Sequence, residues 1–153
     1  MKIFIIAGED SGDKLGAAII DGLRNALKNS PTFVGIGGTR MQSRGVNSIF
    51  PLSELSVMGF LEIASQYKNL KKRLNQTVSC ILDEQPDILL TIDAPEFCFR
   101  VAKRVKYLNK NIPIAHYVAP TVWAWRPKRA KKISYFIDHV LALFPFEPKH
   151  FHD

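Results

Sequence analysis

The sequence predicts an α/β protein whose parallel sheet is covered by helices on both faces. Short, nearly continuous apolar runs recur along the 153 residues, as in strands that are buried on both sides. Segments with apolar residues three or four positions apart separate these runs, as in helices that cover a sheet. With 46% hydrophobic and 23% charged residues, the chain has the composition of a globular domain, which excludes collagen-like, mucin-like and wholly disordered classes.

The order of the elements follows from the same two patterns. Strands are predicted at 2–7, 32–36, 88–92, 112–118 and near 140–143. Helices are predicted from about Asp13 onward, over 61–82, over 97–108 and around 128–137. The chain has no internal repeat or interdomain linker, so a single domain is expected.

The positive charge is concentrated in one part of the chain. The sequence has 21 Lys and Arg against 14 Asp and Glu, a formal net charge of +7. Ten of the basic residues and no acidic residue lie between Arg100 and Lys132, which leaves eleven basic residues for the rest of the chain. Such a block implies an anionic partner, which could be phosphate, nucleic acid or an anionic membrane face.

The cysteines and the apolar runs indicate in which cellular compartment the protein lies. Cys80 and Cys98 lack a C-x-x-C spacing, which is typical of a reducing cytosol. No apolar run approaches the roughly 20 residues of a spanning helix, and the run at 2–7 is too short for a signal peptide. The four histidines form no metal-ligand spacing, so neither a metal nor a cofactor is expected.

Open parallel sheets bind ligands beyond the carboxyl ends of their strands, and a glycine turn follows the first strand. The turn from Gly8 to Gly12 could present backbone N–H groups to an anion or a sugar hydroxyl. Alternatively it is a tight turn in which Asp10 or Ser11 caps the helix. It is not a phosphate-binding loop of the G-x-x-x-x-G-K-[ST] type. It is not G-x-G-x-x-G either, so nicotinamide dinucleotide binding is poorly supported.

Two further candidates follow later strands. Asp93 stands at a strand end, where a rigidly held carboxylate can act as a general base; the alternative is a turn acid before a helix opened by Pro95. His116 contacts substrate or is a satisfied core histidine. The order Ser11, Asp93, His116 is that of α/β-hydrolases, but the serine is one position late for G-x-S-x-G, which argues against a hydrolase.

The most unusual stretch is the tryptophan loop, defined as residues 120–129. Its Trp123, Trp125 and Arg126 could stack on sugars or bases or bind phosphate, or the loop is simply anchored by its tryptophans. The apolar segment 55–61, which contains Met58, is explained by core packing or by contact with acyl chains.

Together these motifs resemble the N-terminal half of the lipid-A-disaccharide synthase family of inverting glycosyltransferases. The matching stretches occur in family order and spacing at 7–13, 35–38, 54–60, 92–97, 116–126 and 141–147. The tryptophan and Asp-Ala-Pro motifs are the specific ones. Four positions depart from the family pattern: Glu96 replaces Asp, Cys98 replaces a hydrogen-bonding Asn, and Ala119 and Thr121 replace serines.

The resemblance implies a GT-B fold of two Rossmann-like domains facing across a cleft. It implies transfer of 2,3-diacylglucosamine from its UDP ester to the 6-hydroxyl of 2,3-diacylglucosamine 1-phosphate, without a metal. Asp93 matches the family's candidate base. The residues expected to contact the substrates are Glu9, Ser11, Gly12, Met58, His116, Thr121, Trp123, Trp125 and Arg126.

Family members are more than twice as long as this chain. Residues 1–153 are therefore expected to be the N-terminal, acceptor-side domain without the UDP-sugar-binding domain, and inactive by themselves. The expected partners are the two acylated glucosamine substrates and the anionic inner face of the inner membrane, where the cytoplasmic protein would bind peripherally. No nucleic acid is expected, and a homo-oligomer is left open. The alternative is a stand-alone binding domain for an anionic sugar, nucleotide or nucleic acid.

Overall fold

The computed structural model describes residues 1–56, 63–118 and 128–143. The strands are β1 (Lys2–Ala7), β2 (Thr32–Ile36), β3 (Asn47–Ser48), β4 (Ile88–Ile92), β5 (Ile114–Tyr117) and β6 (His139–Leu141). The helices are α1 (Asp10–Ala26), α2 (Thr39–Gln42), α3 (Ser53–Ser56), α4 (Ile63–Glu84), α5 (Pro95–Leu108) and α6 (Lys128–Ile133). The strands form one sheet in the order β3-β2-β1-β4-β5-β6, and every neighbouring pair is parallel.

Apolar side chains alternate between the two faces of this sheet, as the period of a strand requires. On one face, Phe4 and Ile6 of β1 belong to a core with residues of α4 and α5. On the other face, Ile3 and Ile5 belong to a second core with Ile20 of α1 and residues of the α2 region. Helices therefore cover both faces, and the predicted fold class is confirmed.

Most predicted elements are present, with shifted ends. β1, β2 and β4 have the predicted bounds, whereas β5 and β6 are shorter. Helix α1 begins at Asp10, three residues before the predicted start, because Glu9 takes the extended N-cap conformation. No side chain caps this helix, so the prediction of Asp10 or Ser11 as the cap is wrong. Helix α5 begins at Pro95, where the fixed φ of proline suits a first helical position.

The ends of α4 and α6 also differ from the prediction. Helix α4 extends to Glu84, two residues past the prediction, while 61 and 62 lie outside the described residues. Helix α6 ends at Ile133, not near 137. The short elements α2, α3 and β3 were missed, because two to four residues are too few to produce a periodic pattern.

A buried acid joins the first two helices. The Asp13 side chain on α1 is only 3% exposed, yet its carboxylate faces the start of α2. It accepts hydrogen bonds from the backbone N–H groups of Gly38 at 2.8 Å, Arg40 at 3.0 Å and Met41 at 3.1 Å. Because these are donors that a helix start leaves unsatisfied, Asp13 stabilises α2 and ties it to α1.

Candidate active site

The sheet grows outward in both directions from the neighbouring strands β1 and β4. From β1 the chain proceeds to β2 on one side of the sheet, while β4 and β5 extend it on the other side. Helix α1 follows β1 onto one face, and α5 follows β4 onto the opposite face. A crevice opens where such helices diverge, so the turns after Ala7 and Ile92 form the expected ligand site.

Asp93 lies in this crevice, directly after β4, with its carboxylate held by two donors. Its Oδ2 accepts a hydrogen bond from the Ser11 hydroxyl at 3.1 Å, and its Oδ1 accepts one from the Ala94 backbone N–H at 2.9 Å. Its own N–H donates to the carbonyl oxygen of Tyr117 at 3.0 Å. The side chain is half-buried, so the carboxylate is oriented and still reachable from the crevice.

Backbone strain is concentrated at this edge. Asp93 has φ 52°, Ala94 has φ 41°, and Val118 after β5 has φ 74°. These values lie in the left-handed region, which is costly for residues with a Cβ and is unusual for a β-branched residue such as Val118. Strained residues of this kind cluster at functional sites, where the surrounding structure holds them in place.

His116 lies below this edge on the α5 face. Its side chain is 1% exposed, with Nδ1 2.8 Å from the hydroxyl oxygen of Thr91 and the ring edge-on to Phe99 at 4.7 Å. Burial lowers its pKa from 6.5 to about 4, although the negative charge of Asp93 and the backbone of Val118 partly oppose this shift. The imidazole is therefore neutral at physiological pH, and its Nε2 has no hydrogen-bond partner in the described part of the chain.

The three residues that occur in hydrolase order do not form a relay. Ser11 contacts Asp93, but the Nδ1 of His116 contacts Thr91 instead. Cys98 is not an alternative nucleophile, because burial raises the pKa of its thiol to about 12 and keeps it protonated. Among the described residues, the site can hold a base, and neither Ser11 nor Cys98 is arranged for acyl transfer.

An apolar pocket of about 180 Å³ opens beside the Asp93 turn. It lies between α3, α4 and α5, and residues of the two turns, among them Gly8 and Ala94, also line it. Leu55, Leu70 and Phe97 give it apolar walls, and Arg100 lies at its margin, 3.7 Å from the Glu96 carboxylate. The crevice therefore combines one oriented carboxylate with an apolar compartment next to it.

The structure gathers some of the predicted substrate residues and separates others. Glu9 is exposed and lines the pocket, whereas Gly12 is buried, with space for a Cβ limited to 3.4 Å by Ala7. His116 lies beneath the crevice, and its contact with substrate stays a prediction. Five of the predicted residues lie outside the described ranges: Met58, Thr121, Trp123, Trp125 and Arg126.

Sequence reasoning missed Asp13 and the pocket. The position of Asp13 was a usable signal, because an acid that shares a helix face with Ala17 and Ile20 must be buried with them. The pocket had no such signal, because its walls come from three separate helices. In the part of the chain that the structure describes, no three His, Cys, Asp or Glu side chains cluster as metal ligands would.

These features define the class: a Rossmann-like domain of the GT-B type with its crevice at the switch between β1 and β4. A UDP-GlcNAc 2-epimerase from Neisseria meningitidis, solved with UDP-GlcNAc, superimposes with a TM-score of 0.61 at 13% identity, covering 99% of this chain and 42% of that one. The MnaA–UDP complex of S. aureus gives 0.59 at 16% identity, covering 99% and 40%. At these identities the likeness concerns the fold alone.

Sequence comparison defines the family. The sequence model of lipid-A-disaccharide synthetase matches residues 3–153, and the chain belongs to this family. It is 49% identical to the lipid-A-disaccharide synthase of Rhodospirillum centenum over 151 residues, and 51% identical to that of Ruegeria pomeroyi over 148. The alignments cover 99% and 97% of this chain but only 38% and 36% of those relatives, so it spans less than two fifths of their length.

These matches confirm the family resemblance that the sequence motifs indicated. Among the described helices, none is long and apolar enough to cross a membrane.

Proposed function

We propose that this chain is the N-terminal, acceptor-side domain of a lipid-A-disaccharide synthase. The complete enzyme transfers 2,3-diacylglucosamine from its UDP ester to the 6-hydroxyl of 2,3-diacylglucosamine 1-phosphate. The observation that carries the proposal is the oriented Asp93 carboxylate at the switch point of a domain that belongs to this family. In this proposal, the UDP-sugar-binding domain belongs to the part of the complete enzyme that this chain, covering 38% of its Rhodospirillum centenum relative, does not match.

Inversion at the anomeric carbon requires a single in-line displacement. Asp93 accepts the proton of the 6-hydroxyl as its oxygen forms the new bond to the anomeric carbon. The bond from that carbon to the diphosphate oxygen breaks with its electron pair, and UDP leaves. Positive groups and helix dipoles stabilise the departing diphosphate. Arg126, in the tryptophan loop, would contact the sugar phosphate. Because Asp93 acts on the hydroxyl alone, it belongs to the acceptor side.

The pocket supports an acylated acceptor. A sugar whose 6-hydroxyl faces Asp93 would have its neighbouring groups close to Leu55, Leu70 and Phe97, and an apolar compartment favours acyl chains over water. Glu9, which lines the pocket, would contact sugar hydroxyls.

A membrane-bound substrate also implies where the enzyme works. We propose that it is cytoplasmic and binds peripherally to the inner face of the inner membrane. The exposed basic residues Lys103 and Arg104 on α5, and Lys131 and Lys132 on α6, support attraction to anionic headgroups.

The proposal is tested with a chimaera in which this chain replaces the matching N-terminal part of the Rhodospirillum centenum relative. We expect the chimaera to form the acylated disaccharide and release UDP, and the 153-residue chain alone to form none. Asp93→Asn should lower kcat by about 10²- to 10⁴-fold, the range for loss of a general base. Asp83→Asn, at an exposed carboxylate near the end of α4, is the matched control and should retain activity.

Each outcome has a clear meaning. Normal turnover by the Asp93→Asn chimaera would remove Asp93 from the role of base. A folded but inactive chimaera, together with binding of a nucleotide or an anionic sugar by the isolated 153-residue chain, would favour the stand-alone binding domain. Disaccharide formation by the isolated chain would contradict the requirement for a second domain.

A further inference from the structure

The glycine turn after β1 was predicted to bind an anion or a sugar hydroxyl, but its contacts in the structure lead to Asp93. We propose that Gly8 and Ser11 are positioning residues for Asp93, so that the turn between β1 and α1 serves to hold and orient the carboxylate. This inference rests on the proposed function, in which Asp93 is the base. It assigns Ser11 a role different from the predicted contact with substrate.

The first step concerns the orientation of the carboxylate. A lone carboxylate at a strand end rotates about its side-chain bonds, and most of its orientations do not point a lone pair at a given hydroxyl. Here the Ser11 hydroxyl donates to Oδ2 at 3.1 Å, and the Ala94 N–H donates to Oδ1 at 2.9 Å. Each carboxylate oxygen therefore accepts one hydrogen bond, and the two bonds together fix the plane of the carboxylate. Fixed geometry of this kind contributes to rate, because the reacting groups need not search for it.

The second step concerns the backbone that carries the carboxylate. Asp93 and Ala94 are consecutive left-handed residues, with φ of 52° and 41°, and neither is glycine. The turn persists only if its surroundings hold it. Its backbone N–H at Asp93 is bonded to Tyr117 on β5, which fixes one side. The side toward β1 is where Gly8 lies.

The third step explains why residue 8 is glycine. A Cβ placed on Gly8 would lie 2.1 Å from the Cβ of Ala94, far inside any real contact distance. Gly8 is buried and is not among the described glycines with positive φ, so it is needed for space and not for backbone conformation. Removing the side chain at this position lets the Ala94 turn pack directly on β1. Ser11, three residues further along in the first turn of α1, then reaches Asp93.

The two roles for Ser11 predict different kinetics. A residue that binds substrate in the ground state and the transition state alike changes KM, whereas a residue that orients the base changes kcat. In the chimaera, we expect Ser11→Ala to lower kcat about tenfold or more, the effect of losing a hydrogen bond to a charged group, with KM changed less than about twofold. Ser11→Thr keeps the hydroxyl and should recover most of the activity.

Gly8→Ala tests whether the backbone next to Ala94 holds Asp93 in position, and Gly22→Ala is its matched control. A Cβ on Gly22, in α1, would meet nothing within 4 Å, so this variant should keep wild-type kcat. Gly8→Ala should lower kcat at least about tenfold, because the Asp93 turn must shift to make room. Where Gly8→Ala fails to fold, the Ser11→Ala and Ser11→Thr pair decides.

The failures of the two proposals are distinguishable. Loss of turnover in Asp93→Asn with wild-type kcat in Ser11→Ala would overturn the positioning role and leave the base in place. A raised KM with unchanged kcat in Ser11→Ala would make Ser11 a substrate contact. Wild-type turnover in Asp93→Asn would overturn the proposed function itself.

Discussion

His116 shows how the environment of one residue changes its chemistry. On a surface this side chain would gain its proton near pH 6.5, but here it is packed between Thr91 and Phe99 with almost no exposure. Water cannot solvate the charged form, so the pKa falls to about 4. A neutral imidazole next to the sheet edge supports the site by packing on Phe99 and by its hydrogen bond with Thr91.

The lowered pKa of His116 predicts an acid-sensitive fold. Below pH 6.5 the unfolded chain binds a proton at this histidine that the folded chain rejects until about pH 4. Above pH 6.5 this histidine therefore does not lower the free energy of unfolding. As the pH drops to 4, the free energy of unfolding falls by about 3 kcal/mol. We expect the urea midpoint of the 153-residue chain to fall across this range, and His116→Gln to fall less steeply.

The matched control is His139→Gln, because His139 is exposed on β6. This variant should keep the wild-type pH dependence of the unfolding free energy. An equally steep decline in His116→Gln and the wild type would contradict the assignment to His116.

At the level of single residues, the sequence predicted which side chains lie in the crevice but not which hydrogen bonds they form. Asp93 and Ser11 were both assigned to the crevice, because each follows a strand in the chain. Their hydrogen bond could not be predicted, because it requires β1 and β4 to be neighbours in a particular register. Strand-end positions are encoded locally, whereas the distance between two strand ends depends on the assembled sheet.

Among the elements, the connection between α1 and α2 depends on Asp13. Three N–H groups at the start of α2 converge on one buried carboxylate, so a short helix with little intrinsic stability acquires a fixed position. The connection also fixes the first turn of α1, where Ser11 lies.

Asp13→Asn should therefore destabilise the fold. The amide keeps one acceptor oxygen, but it is neutral and turns an NH₂ group toward backbone donors. We expect a loss of roughly 2–3 kcal/mol in the free energy of unfolding, measured with urea, since hydrogen bonds to charged groups are the strong ones. Asp10→Asn, at an exposed acid in the first turn of the same helix, should cost only a few tenths of a kcal/mol. Equal losses in the two variants would contradict the role of Asp13.

The elements that were predicted well are those whose pattern repeats. β1, β2 and β4 are apolar along most of their length and are paired on both sides, so their sequences and structures agree residue by residue. β6 has a neighbour on one side only within the described sheet, and it is only three residues long. α2 and α3 form because of tertiary contacts, such as those from Asp13 and the Arg73–Glu54 ion pair, that no local pattern contains.

Over the whole molecule, the positive charge lies on particular elements. Lys103 and Arg104 are exposed on α5, the helix that also contributes Phe97 to the pocket. A basic surface on the same helix as an apolar pocket fits a substrate whose chains lie in a membrane and whose phosphate lies at its surface.

Charge reversal at Lys103 and Arg104 should weaken binding to anionic vesicles. We expect the Lys103→Glu/Arg104→Glu chain to bind phosphatidylglycerol vesicles about tenfold or more weakly than the wild type in sedimentation at low salt. The matched control, Lys14→Glu/Lys28→Glu, changes the net charge equally at exposed residues of α1 and the turn after it, and it should bind nearly as the wild type does. Equal losses would indicate a general charge effect, and tighter binding to oligonucleotides than to vesicles would favour nucleic acid as the partner.

The position of β1 in the sheet has a consequence for how the site forms. β1, α1 and β2 make one continuous unit of the chain, and β4, α5 and β5 make another, and the site lies at the seam between them. Ser11 and Asp93 meet across 82 residues of sequence. Each unit can gather its own local contacts early, but the carboxylate is oriented only when the two halves of the sheet pair, which is a slow, long-range step in folding. Without pairing between β1 and β4, Ser11 could not reach Asp93, and the base would not be oriented.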